Sequence, residues 1–373
     1  MRQPSGVLVL TSIALLSMLA CGDDPISPDP GPGPGSPAPD GLLVLNSTGQ
    51  TLAEFEIAEM SVSAGAEIDL GAGFDGVSVD ATADHAVTTV SSFGGSRVLF
   101  VDLATGIVQT TVFPAPEGID TNPSRPTFDD DGSTAFFAGR GSNIVYAASP
   151  GATEATRIAL GVGTFVERVI PVGNRLFALD ANIDDDGGTF APFGPSRIFA
   201  IEEGSITATI DLPPTALNAI DMVKVGDRLV VLLGGTFDPI TFAPNGDGGL
   251  VTVSLSDFSV GSVHGLAGNG VAIEAGGDGL VYATATSDFV TLDAMSFDPV
   301  ADAFIDGPSG PLDIRDGAGD RVDCSAVTAL ADGRRVCITF SFASAGRLLV
   351  VEATGGIVGE IPSGFGSTDI LVR

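Results

Sequence analysis

The chain is poor in positive charge, in histidine and in large aromatic residues. Among its 373 residues, Lys and Arg together number 16, with Lys224 the only lysine, against 47 Asp and Glu, so the formal net charge is −31. Proteins that bind DNA or RNA neutralise phosphates with clustered Lys and Arg, so we expect no nucleic-acid partner. The acidity is typical of a solvated, self-repelling surface, and divalent-cation binding is the alternative.

The shortage of Trp, His and Cys excludes several further classes. There is no Trp and there are only two Tyr, which argues against WD40 blades, whose signature contains Trp. The two histidines, His85 and His264, fall in a predicted hairpin turn and at the end of a predicted outer strand, where we expect surface residues. Two His and three Cys are too few for a zinc or copper site. No hydrolase, metalloprotease or phosphate-loop motif occurs, so the sequence assigns no catalytic residue.

What the sequence has in abundance is a repeated pattern of short strands and turns. An apolar strand, a tight turn and a more polar strand recur seven times between Gly41 and Arg373, in a chain with 50 Gly and 24 Pro. Such a unit cannot bury its own faces, so the repeats must pack against one another. The clearest copies of the apolar strand are Ser96–Asp102, Ser196–Glu202 and Gly346–Glu352.

Each unit is interpreted as a blade with strands a, b, c and d from the axis outward. Gly-Asp, Asp-Gly and Gly-Asn pairs between apolar runs predict hairpins, and continuous apolar runs such as Val98–Val101 predict a c strand that is buried on both faces. The predicted a–b turns are Ala83–His85, Asp130–Gly132, Val172–Asn174, Val225–Asp227, Gly277–Gly279 and Ala331–Gly333. The predicted c–d turns are Thr48–Gly49, Thr105–Gly106, Pro150–Gly151, Glu203–Gly204, Ser256–Asp257, Phe297–Asp298 and Thr354–Gly355.

These strands predict an all-β fold, a seven-bladed β-propeller of four-stranded antiparallel blades. The chain begins with a c–d hairpin, Leu42–Ile57, and ends with one inner strand, Thr368–Arg373. The last blade therefore combines strands from both termini and closes the ring, but one of its strands has no candidate in the sequence.

The run Val98–Val112 resembles the bacterial YVTN-type propeller family, with its pattern N-x-V-x-V-I-D-x-x-T-G-x-V-x-x-T-I. The resemblance covers roughly residues 41–373, with degenerate motifs elsewhere, and the tetrapeptide itself is eroded at Tyr282–Ala285. It implies the propeller fold and an extracytoplasmic setting, but no single activity, because that family is functionally mixed.

The N-terminal segment predicts export and lipid anchoring. Arg2 precedes an apolar run, Val7–Leu19, which is long enough for a signal-peptide core but too short for a membrane-spanning helix. The run ends in Leu16–Gly22, which resembles a bacterial lipobox with Cys21 as the lipidated residue. Asp23–Asp40 is rich in Asp, Pro, Gly and Ser, the composition of a disordered tether. We therefore divide the chain into a signal peptide (1–20), a lipidated Cys21 with its tether (21–40) and the propeller (41–373).

A disulfide between Cys324 and Cys337 is left open by the sequence. Export permits oxidation, and both cysteines belong to one predicted hairpin. A two-residue turn at Asp332–Gly333 would place Cys324 opposite Ser341 and Cys337 opposite Thr328. The thiols would then be separated by about 13 Å along the strands, beyond the reach of a disulfide, unless a bulge shortened the distance.

Long connections are all of the d–a or b–c type, and in a propeller these two types emerge on the same face. Insertions on one face of a repeat array mark a binding face. Two of the loops are related, because Thr189–Pro192 and Thr241–Pro244 repeat the same four residues. The long connections are Glu59–Phe74, Asn182–Pro195, Gly235–Gly248 and Asp306–Val322.

One of these loops is a candidate calcium site. Asn182, Asp184 and Asp186 alternate along an acidic, Gly-containing loop, and alternating oxygen ligands suit a hard cation such as Ca²⁺. The glutamate that an EF-hand requires at loop position twelve is replaced by Phe193, which excludes the EF-hand and leaves a simpler calcium loop or a solvated turn. Asp238, Asn245 and Asp247 of the next long loop are candidates to complete the ligand shell.

Two functions from different classes fit the sequence. The first is a non-enzymatic, monomeric, lipid-anchored binding module of the outer membrane, facing the periplasm or the cell surface, whose long-loop face holds an envelope protein or a glycan. The alternative is a Ca²⁺-dependent propeller hydrolase or lactonase with a site in the axial channel. That chemistry requires acidic residues from several inner strands, for which the candidates are Asp80, Glu167, Asp221 and Glu274.

Overall fold

The structure is a computed structural model, and the part of the chain that it describes comprises thirty strands. The described residues are 40–58, 61–71, 76–90, 96–113, 122–140, 143–161, 165–184, 191–238, 240–288, 291–305, 312–316, 318–341, 344–353 and 355–373. None of these residues belongs to a helix of the length and apolarity that crossing a membrane requires. The strands are Asp40–Asn46 (β1), Thr51–Ala58 (β2), Ser61–Asp69 (β3), Gly76–Ala81 (β4), His85–Val90 (β5), Arg97–Asp102 (β6), Val108–Val112 (β7), Thr127–Phe128 (β8), Ala135–Gly139 (β9), Ile144–Ala148 (β10), Thr156–Ala159 (β11), Val166–Val172 (β12), Arg175–Asp180 (β13), Ile183–Asp184 (β14), Ala191–Pro192 (β15), Arg197–Glu202 (β16), Ser205–Asp211 (β17), Ala219–Val225 (β18), Arg228–Leu233 (β19), Gly249–Ser254 (β20), His264–Gly265 (β21), Asn269–Ala275 (β22), Val281–Thr286 (β23), Leu292–Asp298 (β24), Ala303–Phe304 (β25), Ala326–Ala329 (β26), Arg335–Ile338 (β27), Gly346–Val351 (β28), Ile357–Gly364 (β29) and Ser367–Val372 (β30).

Seven four-stranded antiparallel sheets form the blades of a ring, so the predicted all-β seven-bladed propeller is confirmed. Blades one to six are, from the axis outward, β4–β7, β8–β11, β12–β13–β16–β17, β18–β21, β22–β25 and β26–β29. The seventh, which we call the closing blade, has the order β30–β1–β2–β3. The chain termini thus share one sheet, as predicted, with Leu43 opposite Leu371 and Val44 opposite Ile370.

The strand that was missing from the closing blade is β3, and two predictions change with it. Glu59–Phe74 was expected to be a long loop, but Ser61–Asp69 pairs with β2 as the outermost strand. The hairpin at Thr48–Gly49 therefore joins the second and third strands of its blade, not the third and fourth. The hydrophobic pattern of β3 is weak because only one of its nine side chains is buried, as an outer edge strand allows.

The six predicted inner hairpins are all present, and their turn residues show why. Each joins the first two strands of one of the blades one to six. Gly173 and Gly226 have φ of 58° and 56°, which is the left-handed conformation that a tight hairpin turn requires and that glycine adopts without steric cost.

The hydrophobic core lies between adjacent blades. One cluster combines Phe177 and Ile198 of the third blade with Met222 and Val251 of the fourth. Strand β20 is buried at all six positions, as continuous apolar c strands predict, because each blade is covered by a neighbour on both faces. Packing of this kind fixes the inner strands around the axis, where they carry most of the charged residues described next.

Candidate functional site in the axial channel

The inner strands bring charged side chains together around the axis. A cavity of about 170 Å³ lies among the inner strands. Most of its inner-strand residues come from the N-terminal halves of those strands, the ends that the long d–a connections enter. The predicted acids Glu167, Asp221 and Glu274 line it. Asp80 instead lines a separate depression among the short turns of the opposite face. The cavity wall consists of Ser78, Ser124, Arg125, Arg140, Glu167, Ile220, Asp221, Val271, Ala272, Glu274, Thr368 and Asp369.

Arg125 is the central cation of the channel. It precedes β8 in the second blade and reaches the fifth blade, where Nη1 and Nη2 donate to Oε1 and Oε2 of Glu274 at 2.6 and 2.5 Å. Nη1 also donates to the carbonyl of Ile273 at 3.1 Å and lies 3.5 Å from Asp221. Nη2 lies 3.7 Å from Asp369 of the closing blade. One guanidinium therefore connects carboxylates from three other blades.

Arg168 holds Asp221 from the third blade. Its Nε lies 3.2 Å from Asp221 Oδ1, and its Nη1 donates to the carbonyl of Pro126 at 3.0 Å. The Arg168 side chain is buried, so its charge must be neutralised and its donors must be filled within the protein. Asp221 supplies the opposing charge, and the carbonyls of Met222 and Pro126 accept from Nε and Nη1.

Glu167 and Arg140 form a second ion pair on the cavity wall. Arg140 follows β9, and its Nε lies 2.5 Å from Glu167 Oε2. The Glu167 side chain is 4% exposed, whereas that of Arg140 is 31% exposed. Within the described residues, Nη1 and Nη2 of Arg140 have no protein partner. The pair thus differs from Arg125–Glu274, because it leaves guanidinium donors available at the cavity mouth.

Burial raises the pKa of two carboxyl groups in the cavity. The pKa of Glu167 is raised by desolvation, although Arg140 favours its charged form, and nearby Asp221 raises it further. Desolvation also raises the pKa of Glu274 well above its ordinary value, against the opposing effect of Arg125. A carboxyl group whose pKa is moved towards neutrality is suited to proton transfer at physiological pH.

Asp369 is both a wall residue and a ring-closing contact. It lies on β30, and its Oδ2 accepts hydrogen bonds from the Ser78 hydroxyl and, at 2.8 Å, from the backbone N–H of Val79 in the first blade. Ring closure therefore does more than pair β30 with β1, because it also links the inner strands of the closing and first blades.

Sequence reasoning missed Arg125, Arg140, Arg168 and Asp369. Arg125 precedes the inner strand β8, Arg168 lies on the inner strand β12 and Arg140 follows the second strand β9. No local pattern distinguishes these three from surface arginines. Asp369 had a signal, because it occupies the predicted final inner strand, as the four predicted acids occupy other inner strands. A search for every charged residue on an inner strand would have included Asp369 and Arg168.

The candidate calcium loop lies partly outside the described residues and stays a prediction. Asp186 and the side chain of Asp184 are not described. Asn182 has a φ of 55°, and its Nδ2 donates to the carbonyl of Pro195 at 3.0 Å. Within the described ranges, no three His, Cys, Asp or Glu side chains are grouped so as to hold a metal ion.

The residues predicted to complete the ligand shell, Asp238, Asn245 and Asp247, form hydrogen bonds within their own loop. Asp238 Oδ1 accepts from the backbone N–H groups of Ile240 and Thr241 at 2.9 and 2.7 Å. Asp247 accepts from the N–H and hydroxyl of Thr236, both at 2.6 Å, and Asn245 Nδ2 donates to the same hydroxyl at 2.9 Å. These hydrogen bonds connect residues within the loop, and the role of Asp238, Asn245 and Asp247 as ligands stays a prediction.

Cys324 and Cys337 are joined by a disulfide, with their Cα atoms 5.6 Å apart. The register expected from a two-residue turn was wrong. The turn spans Leu330–Arg334, so that Cys337 lies opposite Val327 and not Thr328. Cys324 lies before β26, outside the strand ladder, which lets it approach Cys337 across a distance that strand pairing would forbid.

His264 lies on an outer strand, as expected, with 24% of its side chain exposed, and it also packs against the neighbouring blade. Its Nε2 lies 3.2 Å from Asp302 Oδ2, and its ring contacts those of Phe297 and Phe304 at centroid distances of 5.2 and 6.4 Å. Asp302 in turn accepts from the Thr252 hydroxyl at 2.8 Å. This contact joins the outer strand of the fourth blade to the c–d turn of the fifth, so its role is structural.

Comparison with known proteins shows the fold. No protein-family model and no curated protein matches the chain. A candidate 6-phosphogluconolactonase from Bacteroides uniformis is similar in structure, with a TM-score of 0.59 and 11% identity over 90% of this chain and 100% of that one. The periplasmic gluconolactonase of Pseudomonas aeruginosa has a TM-score of 0.56 and 12% identity over 90% of this chain and 99% of that one.

A computationally designed protein, Ika8, is also similar, with a TM-score of 0.52 and 11% identity over 90% of this chain and 91% of that one. A designed chain among the similar structures illustrates that, at such identities, likeness shows the propeller fold alone. Any activity must therefore be argued from the site itself.

Proposed function

We propose that this propeller is a lactonase that opens small lactones in the axial cavity, with Glu167 and Arg140 as its catalytic residues. The observation that carries the proposal is the Glu167–Arg140 pair, in which a buried carboxylate lies 2.5 Å from a partly exposed guanidinium. The similar candidate 6-phosphogluconolactonase and the similar periplasmic gluconolactonase support the choice of lactones as the substrate class. The cavity of about 170 Å³ is below the range of about 300–1,000 Å³ typical of ligand pockets, so the ligand is small.

The two side chains supply complementary chemistry. The Glu167 carboxylate removes a proton from water, whose oxygen attacks the lactone carbonyl carbon. The terminal N–H groups of Arg140 donate to the carbonyl oxygen as it becomes an oxyanion. When the intermediate collapses, the ring C–O bond breaks and Glu167 returns its proton to the leaving oxygen. The product is an open-chain hydroxy acid.

The carboxylates of Glu274 and Asp221 are paired with other arginines. Arg125 takes both oxygens of Glu274, and Arg168 holds Asp221, so neither carboxylate competes with Glu167 for Arg140. The mechanism needs only these side chains, whereas the calcium of the sequence-based alternative would belong to the loop of Asn182, Asp184 and Asp186 and stays a separate hypothesis.

The test compares two matched glutamates. Glucono-δ-lactone hydrolysis is followed by proton release for the wild type, Glu167→Gln and Glu202→Gln. Glu202 also pairs with an arginine, Arg175, but on the c strand of the third blade. We expect Glu167→Gln to lower kcat by about 100-fold or more and Glu202→Gln to leave it unchanged. A wild type without activity, or a fully active Glu167→Gln, would contradict the proposal.

A second candidate function, binding of an envelope protein or glycan through the long-loop face, is favoured by exposed apolar side chains. Phe193, Ile240 and Phe242 are 63%, 85% and 66% exposed, and they lie in the b–c loops of consecutive blades. Single exposed apolar residues are ordinary, but several on one face indicate an interaction site.

The binding function is tested in detergent-solubilised envelopes. A Phe193→Ser/Phe242→Ser variant should lose a partner that the wild type retains in a pull-down. Val300→Ser is the control, because Val300 is 78% exposed but lies in a c–d turn on the opposite face. A partner retained by the double variant would contradict the binding function.

Export and anchoring to the outer membrane through Cys21 belong to both candidate functions. These two proposals rest on the lipobox alone.

A further inference from the structure

The cavity has very little unused positive charge. Its wall contains four carboxyl groups and two guanidinium groups. The carboxyl groups are those of Glu167, Asp221, Glu274 and Asp369, and the guanidinium groups are those of Arg125 and Arg140. The donors of Arg125 serve Glu274, Asp221 and the carbonyl of Ile273. Arg125 is therefore unable to receive an anion without giving up a buried partner.

Arg168 does not line the cavity, and it is also engaged by buried partners. Its side chain is 6% exposed, and its Nε and Nη1 reach Asp221 and the carbonyls of Met222 and Pro126. Moving this guanidinium to a ligand would leave Asp221 and two carbonyls without their partner, at a large desolvation cost. Arg140 is thus the one cation of the wall whose terminal nitrogens are open within the described residues, and it is already shared with Glu167.

Among the described residues, no Lys or Arg besides Arg125 and Arg140 lines the cavity. From Gly41 onward, every Lys and Arg belongs to a described residue, and the segments between the described ranges contain Asp and Glu but neither Lys nor Arg. Those segments therefore bring no further Lys or Arg to the cavity. A phosphate group carries close to two negative charges at neutral pH, and proteins bind it with several Arg or Lys donors or with helix N-termini.

We infer that the cavity selects an uncharged lactone and rejects the same lactone carrying a phosphate. This rests on the proposed lactonase function and adds its substrate class. Arg140 can stabilise a carbonyl oxyanion with its terminal nitrogens, but it has no second guanidinium beside it that is free to form a phosphate clamp. The surrounding carboxylates oppose the entry of a dianion.

The experiment compares glucono-δ-lactone with 6-phosphoglucono-δ-lactone on the purified chain. We expect kcat/KM to be higher for the uncharged lactone by about tenfold or more, because like charges brought together oppose binding strongly. The ratio should shrink as salt is added, since salt screens repulsion at a solvent-exposed mouth. Equal or faster turnover of the phosphorylated lactone would overturn the inference and leave the lactonase function intact. Hydrolysis of neither compound would overturn the lactonase function itself.

A charge-inserting variant tests the cause. Val271 lines the cavity on β22 and is 43% exposed, so Val271→Lys places a new cation at the wall without burying it. We expect this variant to raise the relative kcat/KM for the phosphorylated lactone several-fold. Val300→Lys on the opposite face is the control and should leave the ratio unchanged. If Val271→Lys also left the ratio unchanged, charge would not be the basis of selection and the inference would fail.

Discussion

Arg125 and Glu274 meet across the axis of the ring, the first from the entry to β8 and the second from β22, joined by two hydrogen bonds of 2.6 and 2.5 Å. Their Cα positions are separated by 149 residues in the chain, so this contact exists only when the ring is assembled. Both side chains are almost fully withdrawn from water, with exposures of 12% and 7%. The attraction between the two charges and the desolvation cost of burying them are therefore both large. Substitutions of the two residues can measure the balance between them.

Removing one partner of this pair should destabilise the protein strongly. Arg125→Met leaves Glu274 buried without its cation, and the loss of one partner of a buried pair costs about 3–5 kcal/mol. The free energy of unfolding, from urea denaturation, should fall by that amount. The double variant Arg125→Met/Glu274→Leu replaces both charges by apolar groups and should regain most of the loss. A double variant no more stable than Arg125→Met would show that the pair is not the cause.

The pH dependence of lactone hydrolysis should report the environment of Glu167. A general base acts in its charged form, so kcat/KM should rise as pH increases through the pKa of Glu167. Burial has raised that pKa above the ordinary value of 4.5, so the midpoint of the rise should lie above 4.5. In Glu167→Gln the residual activity should lack this rise. A profile with an unshifted midpoint in the wild type would contradict the assignment.

Ionisation of Glu167 should lower the stability of the folded protein, whereas it raises the activity. The contribution of Glu167 to stability therefore falls as pH increases. Because its pKa is raised in the folded state, Glu167 contributes stability below the unfolded pKa near 4.5, and this contribution is lost as pH rises through the folded pKa. At a pH above the folded pKa, the stability of Glu167→Gln relative to the wild type should be higher than it is at pH 4. Thermal midpoints measured across this range would show it.

The disulfide should contribute measurably to stability. It closes a segment with a sequence separation of 13, and constraining the unfolded chain over a loop of about that length is worth about 3 kcal/mol. Addition of reductant should lower the urea midpoint of the wild type. The variant Cys324→Ala/Cys337→Ala should have the lower urea midpoint even without reductant, and reductant should not change it. Equal midpoints for the reduced and oxidised wild type would show that the bond does not stabilise the sixth blade.

Calcium should stabilise the folded protein if the predicted loop holds an ion. Binding to the folded state alone adds RT ln(1 + [L]/Kd), which is about 4 kcal/mol for a micromolar site at millimolar Ca²⁺. The thermal midpoint should rise with Ca²⁺ and fall back with EDTA. Asp184→Asn/Asp186→Asn should abolish the rise and leave the metal-free midpoint unchanged or slightly raised. If neither Ca²⁺ nor EDTA changed the thermal midpoint of the wild type, the loop would be a solvated turn and not a calcium site.

Cys21 should carry the lipid anchor. Cells that express the full chain should incorporate labelled palmitate into the wild type and not into Cys21→Ser. The variant should also leave the membrane fraction, because the lipid is its predicted attachment. Label retained by Cys21→Ser would refute lipidation at this residue.

The sequence determined the ring almost completely. The repeat of strands and turns depends on local sequence. Gly173 and Gly226, for example, adopt a positive φ within a few residues of the strands that they join. The run from Val98 to Val101 shows by its composition that both faces of its strand are covered, and the structure buries all four residues. The same signal failed for β3, because an outer strand with one buried side chain needs no hydrophobic pattern.

The site depended on the tertiary structure. Glu167, Asp221 and Glu274 were recognisable as inner-strand acids, but nothing in the sequence shows that Arg125 would reach Glu274 or that Arg140 would pair with Glu167 with its terminal nitrogens left open. These pairings join residues of different blades, and charge pairing over such separations carries no local pattern. The disulfide also required the fold, since its formation depends on Cys324 leaving the strand ladder. Local chemistry therefore determined the strands and turns, whereas closure of the ring decided which charges meet at its axis.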